Sequence, residues 1–193
     1  MKPRGRPRDP KVRAAILKAA RELLDSGGLT AVTMEGIAAR AGVGKPTIYR
    51  EWPNAHSVAL SAFLEFTPSD MELRASASPI ADLKQQLRKL AALFASRTGR
   101  GVTALIAATQ GETELMKAFR HHFILKSRAE GQKLLERAVA AGDVRAGLNM
   151  DVALDLIYAP IYFRLLIGHA PLDSAFTDDV IDTVMAGLKP HKR

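Results

Sequence analysis

The sequence has no cysteine, which excludes disulfides and thiolate metal sites and suits a reducing compartment. It also lacks a long apolar run. The longest, residues 156–163, falls far short of the roughly 20 residues that a spanning helix needs. The basic opening is not followed by the apolar core of a signal peptide, because Lys18, Arg21 and Glu22 interrupt residues 14–24. A soluble, cytoplasmic protein is expected. The second half shows no period-two alternation of apolar and polar residues, so strands are not expected and the fold class reads as all-α.

Catalytic and metal-binding patterns are missing as well. His121 and His122 are adjacent, and neighbouring helical residues point about 100° apart, so they cannot both face one ion. His56, His169 and His191 lie in other segments, with no HExxH or comparable spacing. Gly42-Val43-Gly44-Lys45 has neither the preceding strand nor the glycine spacing of a phosphate loop. No local Ser, His and acid motif occurs. The expectation is a protein that is not an enzyme and needs no metal or cofactor.

Acidic residues are also outnumbered, 20 against 28 lysines and arginines, for a formal charge of +8. The excess is uneven. Residues 1–13 hold six cations and one acid, net +5, whereas residues 14–66 hold five of each. Attraction to phosphate is therefore concentrated in the opening arm, where Lys2, Arg4, Arg6 and Arg8 alternate with Pro and Gly. Without apolar periodicity, residues 1–8 read as a disordered arm. Arg4-Gly5-Arg6-Pro7 resembles the core of an AT-hook, an extended segment that lies in a narrow minor groove. A basic tail that serves only solubility is the other reading.

The most structured local signal is residues 33–52, TMEGIAARAGVGKPTIYREW. Thr33 is a good N-cap, and Ile37, Ala38 and Ala41 follow at helical spacing, which predicts a short helix over residues 34–40. Gly42 supplies a left-handed end and Val43 the apolar residue of a tight turn. A second helix over residues 45–51 starts with Pro46 near its first position, where a missing N–H costs nothing. Ile48 and Trp52, four apart, anchor it. Lys45, Thr47, Tyr49 and Arg50 remain for the outside. Two short helices around a glycine turn make a helix-turn-helix, whose second helix fits the major groove of DNA.

Together with the Trp52-Pro53 pair and the flanking helices, these residues make residues 12–66 resemble the tetracycline-repressor-like (TetR) family of bacterial regulators. Two positions depart from the family pattern. Glu51 stands where a basic residue or His is common, and Ala55 where a lysine often meets phosphate. The resemblance implies that Thr33, Lys45, Pro46, Thr47, Tyr49 and Arg50 form the DNA-binding set, and the charge of the arm adds Arg4, Arg6 and Arg8 to it.

In chain order, Asp9 and Pro10 open a helix to about residue 26, with Val12, Ile16, Ala20, Leu23 and Leu24 inward. Asn54 caps a fourth helix. Residues 67–79 break the pattern with Pro, Ser and charge. The expected organisation is an arm at 1–8, a DNA-binding domain at 9–66 and a helical regulatory and dimerisation domain at 67–193. Helices are expected near residues 80–97, 102–110, 114–141, 150–167 and 177–188, with 98–101 a connection. Between Leu156 and Ile167 only Arg164 is charged, so the fourth of these is apolar all round and must be covered on every side. Pro160 should kink it. The family resemblance implies pairing of the last two helices across a two-fold axis, with Ile161, Tyr162, Leu165 and Val184 among the dimer contacts.

Phe94, Ile106, Gln110, Phe119, His122, Phe123, Tyr158 and Tyr162 offer apolar walls and a few polar groups, the composition of a ligand cavity; each is otherwise an ordinary core residue. The function this reading implies is a homodimeric transcriptional repressor that binds palindromic double-stranded DNA and is released by an unidentified small molecule. An architectural DNA-binding protein without a ligand, or a helical interaction module, are the alternatives.

Overall fold

The computed structural model describes residues 9–66, 75–108 and 114–190. Two compact units divide the chain, residues Met1–Thr67 and Pro68–Arg193. All regular structure among the described residues is helical.

The first unit begins with α1 (Pro10–Gly27), whose N-cap Asp9 accepts a hydrogen bond from the Lys11 amide. Gly28, at φ 72°, ends it in a conformation that side chains resist. A short 3-10 turn, Leu29–Ala31, leads to α2 (Met34–Ala41) and α3 (Lys45–Tyr49). Then α4 (Ala55–Phe66) starts where Asn54 Oδ1 accepts from the Ser57 amide at 2.9 Å. Ile16, Leu17 and Leu24 of α1 are buried with Ile37 of α2, Ile48 of α3 and Val58 and Phe63 of α4. Each such side chain contributes about 1.5–3 kcal/mol on leaving water. On α1 the buried residues Ile16, Ala20 and Leu24 recur four apart, the spacing that sends one face inward.

The second unit comprises α5 (Pro79–Ala95), α6 (Arg97–Ala108), α7 (Glu114–Phe119), a π-helical segment (Arg120–Leu125), α8 (Lys126–Ala140), α9 (Met150–Ile167) and α10 (Ser174–Leu188). Leu83, Leu87, Leu90 and Phe94 of α5 are buried along one stripe, and Leu135, Leu154, Ile157 and Ile181 join them from α8, α9 and α10. Salt bridges run from α5 to α10, Lys84 to Asp182 at 2.7 Å and Arg88 to Asp178 at 2.5 Å. Gly131 lets α8 approach α9, since a Cβ there would lie 2.3 Å from the Tyr158 hydroxyl oxygen.

Several boundaries differ from the sequence expectation. Residues 98–101 are helical rather than a connection: only Ser96 separates α5 from α6, its backbone extended and its Oγ accepting from the Gly99 amide at 3.0 Å. The corner requires Gly99, because a Cβ there would meet the Leu93 carbonyl at 2.2 Å. The helix expected over 114–141 contains the π segment. The last helix starts three residues early, at Ser174, because Asp173 caps it through the Phe176 amide at 2.9 Å. The interdomain stretch at 67–74 lies outside the described residues. No described helix is long and apolar enough to cross a membrane.

Candidate nucleic-acid interface and ligand cavity

The helix-turn-helix is built by its caps. Thr33 has an extended backbone, and its Oγ1 accepts from the Gly36 amide at 3.0 Å, so α2 starts with one orphan donor satisfied. At the other end Gly42 is left-handed (φ 66°, ψ 34°), and the amides of Gly42 and Val43 both reach the Ala38 carbonyl. Gly44 precedes α3 in an extended conformation, and Lys45 and Pro46 occupy its first two positions. Here α3 is shorter than expected, ending at Tyr49. The Glu51 and Trp52 amides both bond the Ile48 carbonyl at 3.0 Å, which closes a turn and sends the Trp52 ring inward. Pro53 adds to this, since the residue before a proline disfavours helical backbone.

Ile48 and Trp52 are buried, and the Trp52 Nε1 donates to Ser61 Oγ at 2.8 Å, so α3 is fixed to α4. With that face held, Lys45, Pro46, Tyr49 and Arg50 are exposed and Thr47 is half-buried; Tyr49 has 54 % of its surface in solvent. A large exposed aromatic beside two cations is the residue mix that meets base edges and phosphates. Thr33 is exposed too, with its hydroxyl committed to the cap. Arg50 Nη2 donates to Thr47 Oγ1 at 3.0 Å, and Lys45 pairs with Glu35 at 2.7 Å. Hydrogen bonding to Glu35 pushes the Lys45 ammonium pKa up, while the same bond draws the Glu35 carboxyl down. Glu51, which departs from the family pattern, has a structural role. It accepts from Arg13 Nε at 2.9 Å, and Arg13 also reaches Glu65 at 3.2 Å, which ties the end of α3 to α1 and α4. Arg4, Arg6 and Arg8 lie outside the described residues.

In the second unit the expected aromatic residues do converge. Phe94 packs against Phe119, Phe123 and Tyr162 with ring centroids 5.7–6.2 Å apart, and Phe119 lies 5.4 Å from Phe123. His122 does not join them. It is exposed, with Nδ1 3.1 Å from the Ala118 carbonyl oxygen, because Phe119 and Phe123, four apart, take the inward face and leave both histidines outward. Ile106 is half-buried, and Gln110 lies outside the described residues.

A cavity of about 220 Å³ lies beside this cluster, between α9 and the run from the π segment into α8. Ile124, Ser127 and Arg128 form one wall, and Asp155, Tyr158, Ala159 and Tyr162 the other. The single hydrogen of the Tyr158 hydroxyl is committed, since two acceptors lie within reach of it, Gln86 Oε1 at 2.7 Å and the Ser127 carbonyl at 2.8 Å. The Tyr162 hydroxyl is buried and has no protein partner. Burial raises the pKa of both phenols, so both stay protonated. Arg128 pairs with Asp155 and, at 3.2 Å, with Asp151. Sequence reasoning missed Ile124, Ser127, Arg128, Asp155 and Ala159. The signal was present: 155, 158, 159 and 162 share one helical face, as do 124, 127 and 128.

The outward side of α9 also differs from expectation. Ile161, expected at a subunit contact, is 0 % exposed and belongs to the core of its own unit; Tyr162 is largely buried, and Leu165 and Val184 are half-buried. The apolar side chains that face solvent are Val152, Leu156, Phe163, Leu166 and Ile167, each at least 53 % exposed. With Ala159, also exposed, positions 152, 156, 159, 163 and 166 alternate spacings of four and three, a continuous seam along one helix.

Comparison with known proteins supports the helix-turn-helix and the all-helical fold. Residues 16–56 match the family model of bacterial regulatory proteins of the tetR family, and residues 75–184 match that of the tetracyclin repressor-like C-terminal domain. An uncharacterized HTH-type transcriptional regulator of Bacillus subtilis (strain 168), YdeS, is 35 % identical over 186 residues, covering 96 % of this chain and 94 % of the relative. Among solved structures, the TetR family transcription regulator SCO0332 superposes with a TM-score of 0.74 at 31 % identity, over 93 % of this chain and all of that one. The transcriptional regulator FadR from Bacillus subtilis, in complex with stearoyl-CoA, shares the fold with a TM-score of 0.66 at 21 % identity, over 91 % and 98 %.

Proposed function

The chain belongs to the TetR family of DNA-binding, non-enzymatic transcriptional regulators, and from that premise we propose that it is a homodimeric repressor of a palindromic operator, released by a small molecule. The observation that carries this reading is the exposed set Lys45, Pro46, Tyr49 and Arg50, held outward by buried Ile48 and Trp52. Occupying a promoter's major groove excludes other proteins by itself, so repression needs nothing beyond binding. Residues 9–66 would read DNA, and residues 67–193 would sense and dimerise.

Two copies would meet through the seam of Val152, Leu156, Ala159, Phe163 and Leu166, which is apolar and uncovered in one copy. A two-fold dimer presents two reading heads, and an inverted-repeat operator is the matching target. The arm, with Arg4, Arg6 and Arg8, would add contacts in the flanking minor groove, supported by its net charge of +5 against a neutral helix-turn-helix region.

Ligand release rests on the cavity, about 220 Å³ and mostly apolar. The FadR complex with stearoyl-CoA supports a ligand role for this unit as a class, although that ligand is far larger than the cavity. A molecule that binds better to the state with misplaced reading heads lowers operator affinity by its differential binding energy. The test is a footprint on the DNA upstream of the protein's own gene. A symmetric protected site, bound by two protomers and relieved by a cavity ligand, is expected; binding without sequence preference would favour the architectural alternative.

A further inference from the structure

The chemistry of the cavity narrows its ligand. We propose that the space between α8 and α9 takes an uncharged molecule about one ring in size that presents a hydrogen-bond acceptor to the Tyr162 hydroxyl. This inference rests on the reading that the second unit binds a small molecule, and deepens it.

Size comes first. An enclosed apolar cavity of about 150 Å³ accepts benzene; this one, open to solvent where exposed Asp155 and Ala159 line it, measures about 220 Å³, which leaves room for a short substituent. Its body is supplied by Ile124, Ala159 and the two tyrosine rings. Polarity comes next. Tyr162 is the only described residue with a buried side-chain polar atom that lacks a partner, and its hydrogen is satisfied only by an acceptor. The neighbouring Tyr158 hydroxyl cannot compete for the ligand, since Gln86 and the Ser127 carbonyl already hold it. Charge decides the rest. The charged lining is one cation and one acid, Arg128 and Asp155, paired with each other, so it presents no net charge to attract a ligand of either sign.

Position suggests what binding does. Ala159 lines the cavity and lies in the outward seam of α9 between Leu156 and Phe163, so a bound molecule presses on the helix proposed to carry the dimer contact.

Acetophenone and α-methylstyrene are close isosteres that differ in a carbonyl oxygen against a methylene group. Titration calorimetry of the full chain with each should give acetophenone the tighter binding by about fivefold to tenfold, the scale of one net hydrogen bond. In Tyr162→Phe the ring still packs edge-on to Phe94 at 5.7 Å, so the fold is kept, and the ratio should fall to about one. Equal binding of the two compounds to the parent, an unchanged ratio in Tyr162→Phe, or no binding of either at millimolar concentration would each overturn the proposal. Binding as expected with operator affinity unchanged would leave the cavity assignment standing and sink the ligand-release reading instead.

Discussion

The Lys45 ammonium lies 2.7 Å from the Glu35 carboxylate, which joins the first residue of α3 to the first turn of α2. Both side chains are well exposed, so the pair is free to exchange partners. If Lys45 meets phosphate or a base edge, Glu35 competes with DNA for it. Glu35→Gln should therefore strengthen DNA binding by up to about fivefold, the scale of an exposed ion pair. The log–log salt slope should steepen by about 0.9 for one more phosphate neutralised. Fluorescence anisotropy across a salt series measures both, and an unchanged affinity and slope would show that the pair does not gate the surface.

Two neighbouring residues on α9 should behave in opposite ways. Phe163 is 59 % exposed on the seam, whereas Ile161 is fully buried. Phe163→Glu should yield a folded monomer by analytical ultracentrifugation. Ile161→Glu should lower the melting temperature sharply, because a buried unpaired carboxylate costs several kcal/mol (~3–5). A Phe163→Glu protein that sediments as a stable dimer would remove the seam from the interface.

Asp82 gives a pH prediction. Its side chain is buried, which by itself pushes the carboxyl pKa up, but hydrogen bonds from Ser76 and the nearby Arg137 guanidinium outweigh this and hold it below the usual range. The Ser76 amide donates at 3.0 Å and Arg137 Nη1 at 3.0 Å. Because the folded pKa is the lower one, the unfolded chain binds more protons as pH falls. The stabilisation is thus present above the ordinary carboxylate pKa of about 3.9 and is lost as pH drops through the folded value. Asp82→Asn should cost about 1–3 kcal/mol at pH 7 and flatten the fall in melting temperature below pH 5. A parallel fall in parent and variant would assign acid sensitivity elsewhere.

The arm should show itself in salt dependence. Deleting residues 2–8 should weaken operator binding and reduce the log–log slope by about 0.9 for each phosphate the arm neutralises. It should also remove any preference for A·T-rich flanks while the central sequence preference is kept. An unchanged slope and flank preference would leave the arm a solubilising tail.

The reading head was legible because its signals are local. Thr33, Gly42 and Pro46 each fix one backbone conformation, and Ile48 and Trp52 identify the inner face of α3. The end of α3 was less so, since it follows from the burial of Trp52, a tertiary demand. At the α5–α6 corner, Gly99 and Gly101 read as a break, yet Gly99 is there to let α6 turn against Leu93. The π segment has no sequence signature, and which of its faces turns inward, with Phe123 buried and His122 exposed, is set by packing. On α9 the difficulty is symmetry: a helix apolar all round has no preferred face, so nothing in the sequence separates Ile161, buried, from Phe163, exposed. The cavity's charged rim, Arg128 with Asp155, needed the pairing of two helices to become visible.

The most direct test of the account is the operator affinity of a Lys45→Ala, Tyr49→Ala double variant against that of the parent, at fixed salt and on one footprinted site. Both side chains are exposed, so the melting temperature should stay within about 1 °C, a surface-substitution effect. Affinity should drop at least about thirtyfold, the combined scale of one good base interaction and one phosphate interaction. An unchanged affinity and footprint would contradict the assignment of α3 as the DNA-reading element.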